Sequence, residues 1–321
     1  MRLSSFSFLF VLFVAFLATS CKAPDASEHP VTPVTTTSPY IVVLGVGQDG
    51  GVPQTGNHAH PGWKNPERAE RVVSLGLVDP GSGERWLFEA TPDLRSQWFT
   101  LDSRAGHREQ RTPDGVFLTH AHIGHYTGLM FFGHESLGAQ DVAVYAMPLM
   151  ARFLTDNGPW SQLVTYGNIA LQPMAADSTV HLNSRLSVTP LEVPHRQEFS
   201  ETVGFIIEGP SKRILFIPDI DSWEKWSTPL SEILATVDVA YIDATFYANG
   251  EIPGRDMSGF PHPFISHTMD VLAAEADSTR AKIRFIHMNH TNPVLVRDSA
   301  ERKAVLAAGF GIAEDGEFEE L

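Results

Sequence analysis

The chain has 321 residues, of which 43% are hydrophobic, and this size suits one large globular domain or two small ones. Its 38 acidic and 23 basic residues give a formal net charge of −15. A strongly acidic chain without basic stripes is a poor partner for nucleic acid or for an anionic membrane surface. The only cysteine is Cys21, which excludes an internal disulfide and leaves no other thiol to bind a metal or act as a nucleophile.

The first twenty residues have the layout of a bacterial export signal: Arg2, an apolar stretch and a small-residue end. Cys21 follows directly, and "LATSC" resembles the lipobox at which bacterial lipoproteins are cleaved and lipidated. Ala18 stands where leucine is commoner, and an uncleaved anchor helix or a plain secretory signal is the alternative. We therefore predict a lipoprotein signal peptide over residues 1–20 and a lipid anchor on Cys21. The protein is then expected in the bacterial cell envelope, at the periplasmic face or the cell surface.

Residues 21–39 are rich in Pro, Thr and Ser and are predicted to form a flexible tether, followed by a folded domain over 40–321. In that domain, short runs typical of β-strands alternate with helical stretches. The predicted strands are "RWLFEA", "GVFLTH", "DVAVYAM", "RLSVTPLEV", "TVGFIIEG", "RILFIPD", "DVAYIDA" and "KIRFIHM". Helices are predicted near 126–137, 148–156, 267–276 and 298–308. Hairpin-like turns early in the domain and helical connections later favour layers of sheet flanked by helices.

Side chains that can bind a metal follow the ends of several predicted strands. They are His120, His122, His125, His195, Asp219 and His287. Two histidines separated by one residue on an extended segment point the same way. Neutral imidazole is a good ligand for zinc or iron, and a carboxylate can bridge two ions while lowering the net charge of the site. Each histidine alone is explained more simply by a hydrogen-bonded structural role, but the set together predicts a metal centre.

The ordered set His-x-His-x-x-His, a later lone His, a strand-ending Asp and a final strand-ending His resembles the metallo-β-lactamase superfamily. Within it, the chain is similar to the pyrroloquinoline quinone biosynthesis protein B group over nearly all of residues 40–321. The stretches that carry this similarity are "GQDGGVPQTGN", "EATPDLRSQW", "HIGHYTGL", "FIHMNHTNP" and "SAERKAVLAAGFGIAEDGEFEEL". The resemblance implies a single α/β domain, a four-layer αββα sandwich with its site along one edge of two packed sheets.

The resemblance also implies roles by position in the motif. The first metal would be bound by His120, His122 and His195, Asp219 would bridge, and the second metal would be bound by His125 and His287. Gly124 stands where the superfamily has an aspartate that binds the second metal. The motif therefore predicts one firmly bound ion, expected to be Zn²⁺ with Fe²⁺ as the alternative, and a second site that is weak, differently built or empty.

Other polar residues have less certain roles. His290 is an alternative last ligand that could replace the lost carboxylate, although a hydrogen-bonded loop residue is the simpler explanation. His58 and His60 stand where the resembled group tends to carry a cysteine knuckle for structural zinc, and exposed loop histidines often bind nothing. Asp243 in "YIDATF" is predicted to orient a ligand or to act in proton transfer, or else to cap a loop. His262, in a segment rich in Pro and aromatic residues, is expected in a pocket wall or at a helix start.

The function predicted from these residues is an exported metal-dependent hydrolase. A metal-activated water would attack an ester, a phosphoester or a lactone-type substrate, with Asp219 and Asp243 as the catalytic carboxylates. The alternatives are a non-haem iron oxygenase, as implied by the resembled cofactor-biosynthesis group, and a non-catalytic binding lipoprotein. The expected partner is a small-molecule substrate, without nucleic acid, and with membrane contact only through Cys21.

Overall fold

Two seven-stranded mixed sheets face each other in a computed structural model that describes residues 33–321. The predicted signal peptide, Cys21 and the predicted tether up to residue 32 lie outside the described residues. Among residues 33–39, the backbone N–H of Val34 donates to the carbonyl of Arg104 at 2.9 Å, so this end of the predicted tether contacts the domain. None of the helices in the described part has the length and apolar character needed to cross a bilayer.

The first sheet contains strands from the first half of the domain and one from the C-terminus. Its strands are β1 (Tyr40–Gly45), β2 (Ser74–Asp79), β3 (Glu84–Phe88), β4 (Gly115–Phe117), β5 (Val142–Ala146), β6 (Ile169–Pro173) and the C-terminal strand, which pairs with β1. The first three strands pair antiparallel, and the next three add in parallel. Parallel neighbours require a crossover connection, so the chain leaves this sheet after β3, β4 and β5.

The second sheet repeats this pattern of a meander followed by parallel strands. Its strands are β7 (Val180–His181), β8 (Ser187–Glu192), β9 (Val203–Glu208), β10 (Arg213–Ile217), β11 (Val239–Asp243), β12 (Ile283–Ile286) and β13 (Gly311–Ile312); the C-terminal strand of the first sheet is β14 (Phe318–Glu320). Strands β7 to β10 pair antiparallel, and β10 to β13 pair in parallel. In each sheet, the parallel strands end on loops that are free to carry functional side chains.

Helices cover the outer face of each sheet. They are α1 (Leu94–Arg104), α2 (Ile123–Tyr126), α3 (Pro148–Asp156), α4 (Trp160–Thr165), α5 (Leu230–Ala235), α6 (Ile265–Val271), α7 (Asp277–Arg280) and α8 (Ala300–Ala307). Short 3₁₀ turns occur at Pro61–Trp63, Pro66–Arg68, Thr127–Phe132, Trp223–Lys225 and Pro293–Leu295. The four layers of helix, sheet, sheet and helix confirm the predicted αββα sandwich.

Aromatic side chains fill the space between the sheets. The ring of Phe117 stacks on Tyr145 with centroids 4.2 Å apart, and it lies 5.0 Å from Phe88 and 5.7 Å from Phe205 of the opposite sheet. The three phenylalanine rings are shielded from solvent and Tyr145 is half-buried, and buried aromatic pairs stabilise a core beyond their area alone. The core therefore ends directly below the loop that begins at Leu118 and carries the histidine motif.

The eight runs predicted as strands each contain a strand, and the helix predicted over 148–156 matches α3. The helix predicted near 126–137 is instead the single turn of α2 followed by a 3₁₀ segment. A Cβ at Gly128 would lie 2.1 Å from the carbonyl oxygen of Thr91. The segment therefore packs directly against the loop after β3, with no room for a side chain at this position. Helix α1 was not predicted, because only Leu94 and Leu101 mark its buried face and Gln97 lies between them.

Candidate metal centre

The metal-binding side chains come from loops that follow five different strands. His120 lies three residues after β4, His195 follows β8, Asp219 lies two residues after β10, and His287 directly follows β12. The fifth is Asp49, four residues after β1. Because these strand ends meet at one edge of the sandwich, residues far apart in sequence lie within bonding distance of a common centre.

The first donor group consists of His120, His122, His195 and Asp219, with one ligand atom from each lying within 4.8 Å of all the others. His122 Nδ1 lies 2.8 Å from His120 Nε2 and 3.2 Å from His195 Nε2. Oxygens of Asp219 lie 3.5 Å from His120 Nε2 and 3.4 Å from His195 Nε2. Four donors at ~2.0 Å from a tetrahedral zinc ion would be about 3.3 Å apart. The first group therefore fits such an ion.

The second donor group consists of Asp49, His125, Asp219 and His287. His125 Nε2 lies 3.0 Å from Asp49 Oδ1 and 3.3 Å from Asp219 Oδ2. His287 Nε2 lies 3.5 Å from each of the same two oxygens. Asp219 thus belongs to both groups, as expected of a bridging carboxylate.

Two donor atoms in these groups are buried without a hydrogen-bond partner among the described residues. They are Asp219 Oδ1 and His287 Nε2. A buried polar group that is left unsatisfied costs about 1–3 kcal/mol, and such atoms are uncommon in native proteins. A cation between the donors would satisfy both atoms, so the residues present fit a bound metal.

Each histidine of the two groups is held through its second ring nitrogen. The partners are Thr119 Oγ1 for His120 at 2.8 Å, Glu198 Oε2 for His122 at 3.1 Å, Glu89 Oε1 for His125 at 3.2 Å, Asp221 Oδ1 for His195 at 3.1 Å, and Thr245 Oγ1 for His287 at 2.9 Å. Such partners fix the tautomer and the ring orientation of a metal-binding imidazole. The donor set is therefore oriented before any ion enters.

Electrostatics favour the ligand forms of His120, His195 and Asp219. Burial lowers the pKa of His120 well below its ordinary value, and the nearby imidazole of His125 adds to this effect. Burial also lowers the pKa of His195. For Asp219, burial would raise the pKa, but the charges of His287 and His195 outweigh it and hold the pKa well below the ordinary value. Neutral imidazole and ionised carboxylate are the forms that bind metals.

For His125, burial would lower the pKa, but the charge of Glu89 and the hydrogen bonds to Asp219 and Asp49 outweigh it and raise the pKa well above the ordinary value. A metal therefore has to displace a proton there.

Two of the four non-glycine residues with a positive φ among the described residues belong to this centre. His287 has a φ of 65° and Glu89 a φ of 80°, in the left-handed region that residues with a Cβ rarely adopt. His287 is a donor, and Glu89 holds His125. Strained conformations persist where the surroundings determine them and cluster at functional sites. The strained backbone places His287 in the centre and Glu89 against the second ring nitrogen of His125.

Asp243, predicted to be catalytic, lies at the centre: together with His262 it forms a third group of possible metal donors that also contains Asp219 and His287. His262 Nδ1 lies 2.9 Å from Asp243 Oδ2 and 3.2 Å from Asp219 Oδ1. Burial disfavours the charged imidazole, but the carboxylates of Asp243 and Asp219 outweigh it and raise the pKa of His262 to about 9. Asp243 Oδ2 also accepts a hydrogen bond from the backbone of Ile220 at 3.1 Å. His262 was predicted in a pocket wall or at a helix start; it lines a cavity described below and also contacts the bridging carboxylate.

Besides His262, three histidines considered in the sequence lie outside both donor groups. His290 Nδ1 lies 2.9 Å from the side-chain amide of Asn57. The place of the lost carboxylate ligand, for which His290 was the alternative, is taken by Asp49. His60 Nδ1 accepts from the backbone N–H of Gly62 and caps the turn Pro61–Trp63. His58 is exposed. The geometry thus gives His290 and His60 structural partners in place of ligand roles.

Asp49 is the donor that sequence reasoning missed. It lies in "GVGQDGG", where a single carboxylate among glycines forms no periodic or paired motif. A signal was present, since this loop follows the apolar run "YIVVLG" in the same way as the loops of the histidines and Asp219 follow theirs. Only the fold shows that this carboxylate meets His125 and His287.

A cavity of about 610 Å³ opens beside the donor groups. Its wall includes His262, the aromatic rings of Phe246 and Phe260, and the guanidinium groups of Arg196 and Arg255. The guanidinium of Arg255 lies 4.7 Å from the centre of the Phe260 ring. Arg196 lies 3.4 Å from a carboxylate oxygen of Glu198, so Arg255 is the cation that favours an anionic ligand in this cavity.

This sandwich, with its paired donor groups at one edge, defines a metallohydrolase of the metallo-β-lactamase fold. The chain belongs to the beta-lactamase superfamily, since the family described as "Beta-lactamase superfamily domain" matches residues 84–288. Both the fold and the family predicted from the sequence are confirmed.

Curated relatives and solved structures are similar to nearly the whole domain. "Coenzyme PQQ synthesis protein B" of Methylorubrum populi is 28% identical over 302 residues, covering 86% of this chain and 98% of the relative. The protein of the same name from Xanthomonas axonopodis pv. citri is 28% identical over 301 residues, with the same coverage. The crystal structure of Zn²⁺-bound PqqB from Methylobacterium extorquens is 26% identical, with a TM-score of 0.74, and covers 88% of this chain and 100% of that one. A diphosphatase of the PhnP family, 21% identical with a TM-score of 0.62 over 88% of this chain and 97% of its own, shares the fold.

Proposed function

We propose that this protein is a metal-dependent hydrolase whose metal-activated water attacks an anionic ester, with the phosphoester class favoured over neutral esters and lactones. The observation that carries the proposal is the pair of donor groups that share Asp219 beside a cavity lined by Arg255. Zinc is the proposed ion, supported by the donor spacing and by the Zn²⁺-bound relative. When bound, zinc polarises a substrate oxygen and lowers the pKa of a bound water toward about 7.

The residues of the chain supply the remaining steps. His120, His122, His195 and Asp219 would hold the ion of the first site, and Asp219 would orient the attacking water through its shared position. The Nδ1 atom of His262 is hydrogen-bonded to Asp243. The Nε2 atom of His262 is therefore the one that can donate a proton to the leaving group. Asp243 acts as a positioning residue, because it holds the ring of His262 and stabilises its charged form.

The experiment that tests this proposal combines metal analysis with a substrate panel. The purified domain is analysed for zinc and iron, then assayed on matched phosphodiesters, neutral esters and lactones with the same leaving group. Zinc together with hydrolysis of the phosphodiesters is the expected result. Iron with oxygen uptake, and no hydrolysis, supports the second candidate, an oxygenase, which the similarity to the PQQ synthesis proteins favours. Absence of metal and of turnover contradicts both.

Arg255 provides a test of the substrate class. Hydrogen bonds to charged groups contribute about 1.5–3 kcal/mol, and 1.4 kcal/mol corresponds to a tenfold change. Because Arg255 lies in an open cavity, Arg255→Gln is expected to raise KM for a phosphodiester roughly tenfold and to leave KM for the matched neutral ester nearly unchanged. Arg152→Gln, on an exposed face of α3, is the control. Equal effects of Arg255→Gln on both substrates would contradict an anion-binding role.

We also propose that Cys21 carries a lipid that anchors the protein to the cell envelope, as its sequence context suggests. Cys21→Ser should block lipidation and release the folded domain from the membrane, because this thiol is the only acceptor in the chain. The measurement is fractionation of cells that express each form, with mass spectrometry of the N-terminus. A Cys21→Ser protein that is processed at the same position and stays in the membrane fraction would show the lipoprotein prediction to be wrong.

A further inference from the structure

The second donor group lacks the carboxylate that its sequence motif requires. In "HAHIGHY", Gly124 stands where the superfamily has a metal-binding aspartate, and glycine offers no donor. The sequence therefore predicts a second site that is weak, differently built or empty. The structure nevertheless brings four donors together there, and two of them are carboxylates.

The extra carboxylate is Asp49, which reaches the second site from the loop after β1. Its Oδ1 lies 3.0 Å from His125 Nε2 and 3.5 Å from His287 Nε2. The backbone fixes this loop beside the ligand strand: the N–H of Gln48 donates to the carbonyl of Met288 at 2.9 Å, next to His287. The side chains of Gln48 and Asn289 are also hydrogen-bonded at 2.5 Å. These bonds hold the loop of Asp49 beside the segment that carries His287.

Asp49 occupies the space that a side chain at position 124 would need. A Cβ built on Gly124 would lie 2.4 Å from Cα, 2.6 Å from Oδ1 and 2.7 Å from Cβ of Asp49. Distances under 3.0 Å to backbone atoms require the backbone to move. The φ of Gly124 is not in the left-handed region, so its backbone angle does not demand glycine. Contact with Asp49 is the reason that position 124 has no side chain.

We propose that Asp49 is the carboxylate ligand of the second metal, in place of the residue at position 124. The second site is then complete, but one of its ligands comes from a different segment of the chain. Asp49 and any side chain at position 124 exclude each other, so Gly124 is a structural requirement of the relocated ligand. The inference rests on the metal centre of the proposed function and is independent of the reaction performed there.

The first test removes the carboxylate and keeps the shape. Asp49→Asn is expected to lower zinc content from two ions per chain to one, measured by elemental analysis after equilibration against a chelator of fixed zinc affinity. The side chain of Asp49 is 38% exposed, so the substitution should leave the fold intact. Asp270→Asn, at an exposed position of α6, is the control for loss of one negative charge and should keep two ions.

The second test keeps every donor residue but displaces one of them, Asp49. Gly124→Ala adds a methyl group that can bind nothing but must displace Asp49, so it should also lower zinc content to one ion. Gly259→Ala, where an added Cβ meets no atom within 4 Å, is the matched control. If Gly124→Ala does not fold, the Asp49→Asn result decides alone.

The outcomes separate this inference from the hydrolase proposal. Two zinc ions retained by Asp49→Asn, or only one ion bound by the parent at saturating zinc, would overturn the ligand role of Asp49 whatever the activity. Two ions in the parent and one in Asp49→Asn, without hydrolysis of any substrate in the panel, would support Asp49 and overturn the proposed function.

Discussion

Asp219→Asn should remove metal from both sites and lower hydrolytic activity by roughly 10³-fold or more. Asp219 is the only residue common to the two donor groups, and its oxygens contact imidazoles of both. An amide has nearly the same shape but no charge, so the buried histidines would lose the anion that offsets a bound dication. Metal ions contribute several kcal/mol to transition-state stabilisation, and about 4 kcal/mol corresponds to a factor of 10³ in rate.

Elemental analysis and thermal melting of the same protein sample check this prediction. Metal content should fall toward zero while circular dichroism retains the spectrum of the parent, since Asp219 lies on a loop and not in the aromatic core. Asp79→Asn is the matched control. It removes another buried carboxylate, which pairs with Arg185 far from the centre, and should lower stability without changing metal content. Two ions per chain in Asp219→Asn would refute the shared-ligand arrangement.

Phe117→Ala is expected to lower the free energy of unfolding by about 3–5 kcal/mol. Phe117 is fully buried between the sheets, where it contacts Tyr145, Phe88 and Phe205, and the alanine would leave a cavity that these rings cannot fill. Since natural domains are stable by only about 5–15 kcal/mol, this is a large part of the total. At 2–4 °C per kcal/mol for a domain of this size, the melting temperature should fall by roughly 10 °C.

Denaturant unfolding of the metal-free protein measures this loss without a contribution from ion binding. Phe99→Ala provides the comparison, because Phe99 is 61% exposed on α1 and its removal should change stability by less than 1 kcal/mol. A loss for Phe117→Ala no greater than that for Phe99→Ala would mean that the inter-sheet aromatic cluster does not stabilise the sandwich.

The sequence predicted eight of the fourteen described strands, because each of those eight is a short apolar run bounded by polar residues. The strands β1, β2, β6, β7, β13 and β14 were not predicted, and three of them, β7, β13 and β14, have only two or three residues. The sequence predicted α1 and α2 poorly for opposite reasons. The buried face of α1 contains Gln97, whose amide bonds the backbone carbonyls of Leu44 and Val72, so its hydrophobic period is weak. The α2 region has apolar residues at suitable positions, but close contact with the first sheet at Gly128 cuts the helix short.

The histidine donors were predictable because they form a dense motif, and Asp219 because it ends a strand. Asp49 was not, since a lone carboxylate among glycines is common in turns and only the fold brings it to His125. His262 was recognised as a residue of interest, but its contact with Asp243 and Asp219 depends on how the segment before α6 returns to the sheet edge. Sequence spacing shows which residues can act together; long-range packing decides which of them meet.

The first and last donors in chain order are Asp49 and His287. Their ligand atoms lie 3.5 Å apart, although the strands they follow, β1 and β12, are far apart in the sequence. Asp49 is translated early and His287 late, and the second donor group cannot close until β12 has paired with its neighbours. A chain interrupted before β12 would present only a fragment of this group. The second site therefore assembles only after nearly the whole domain has folded, in whichever compartment that happens.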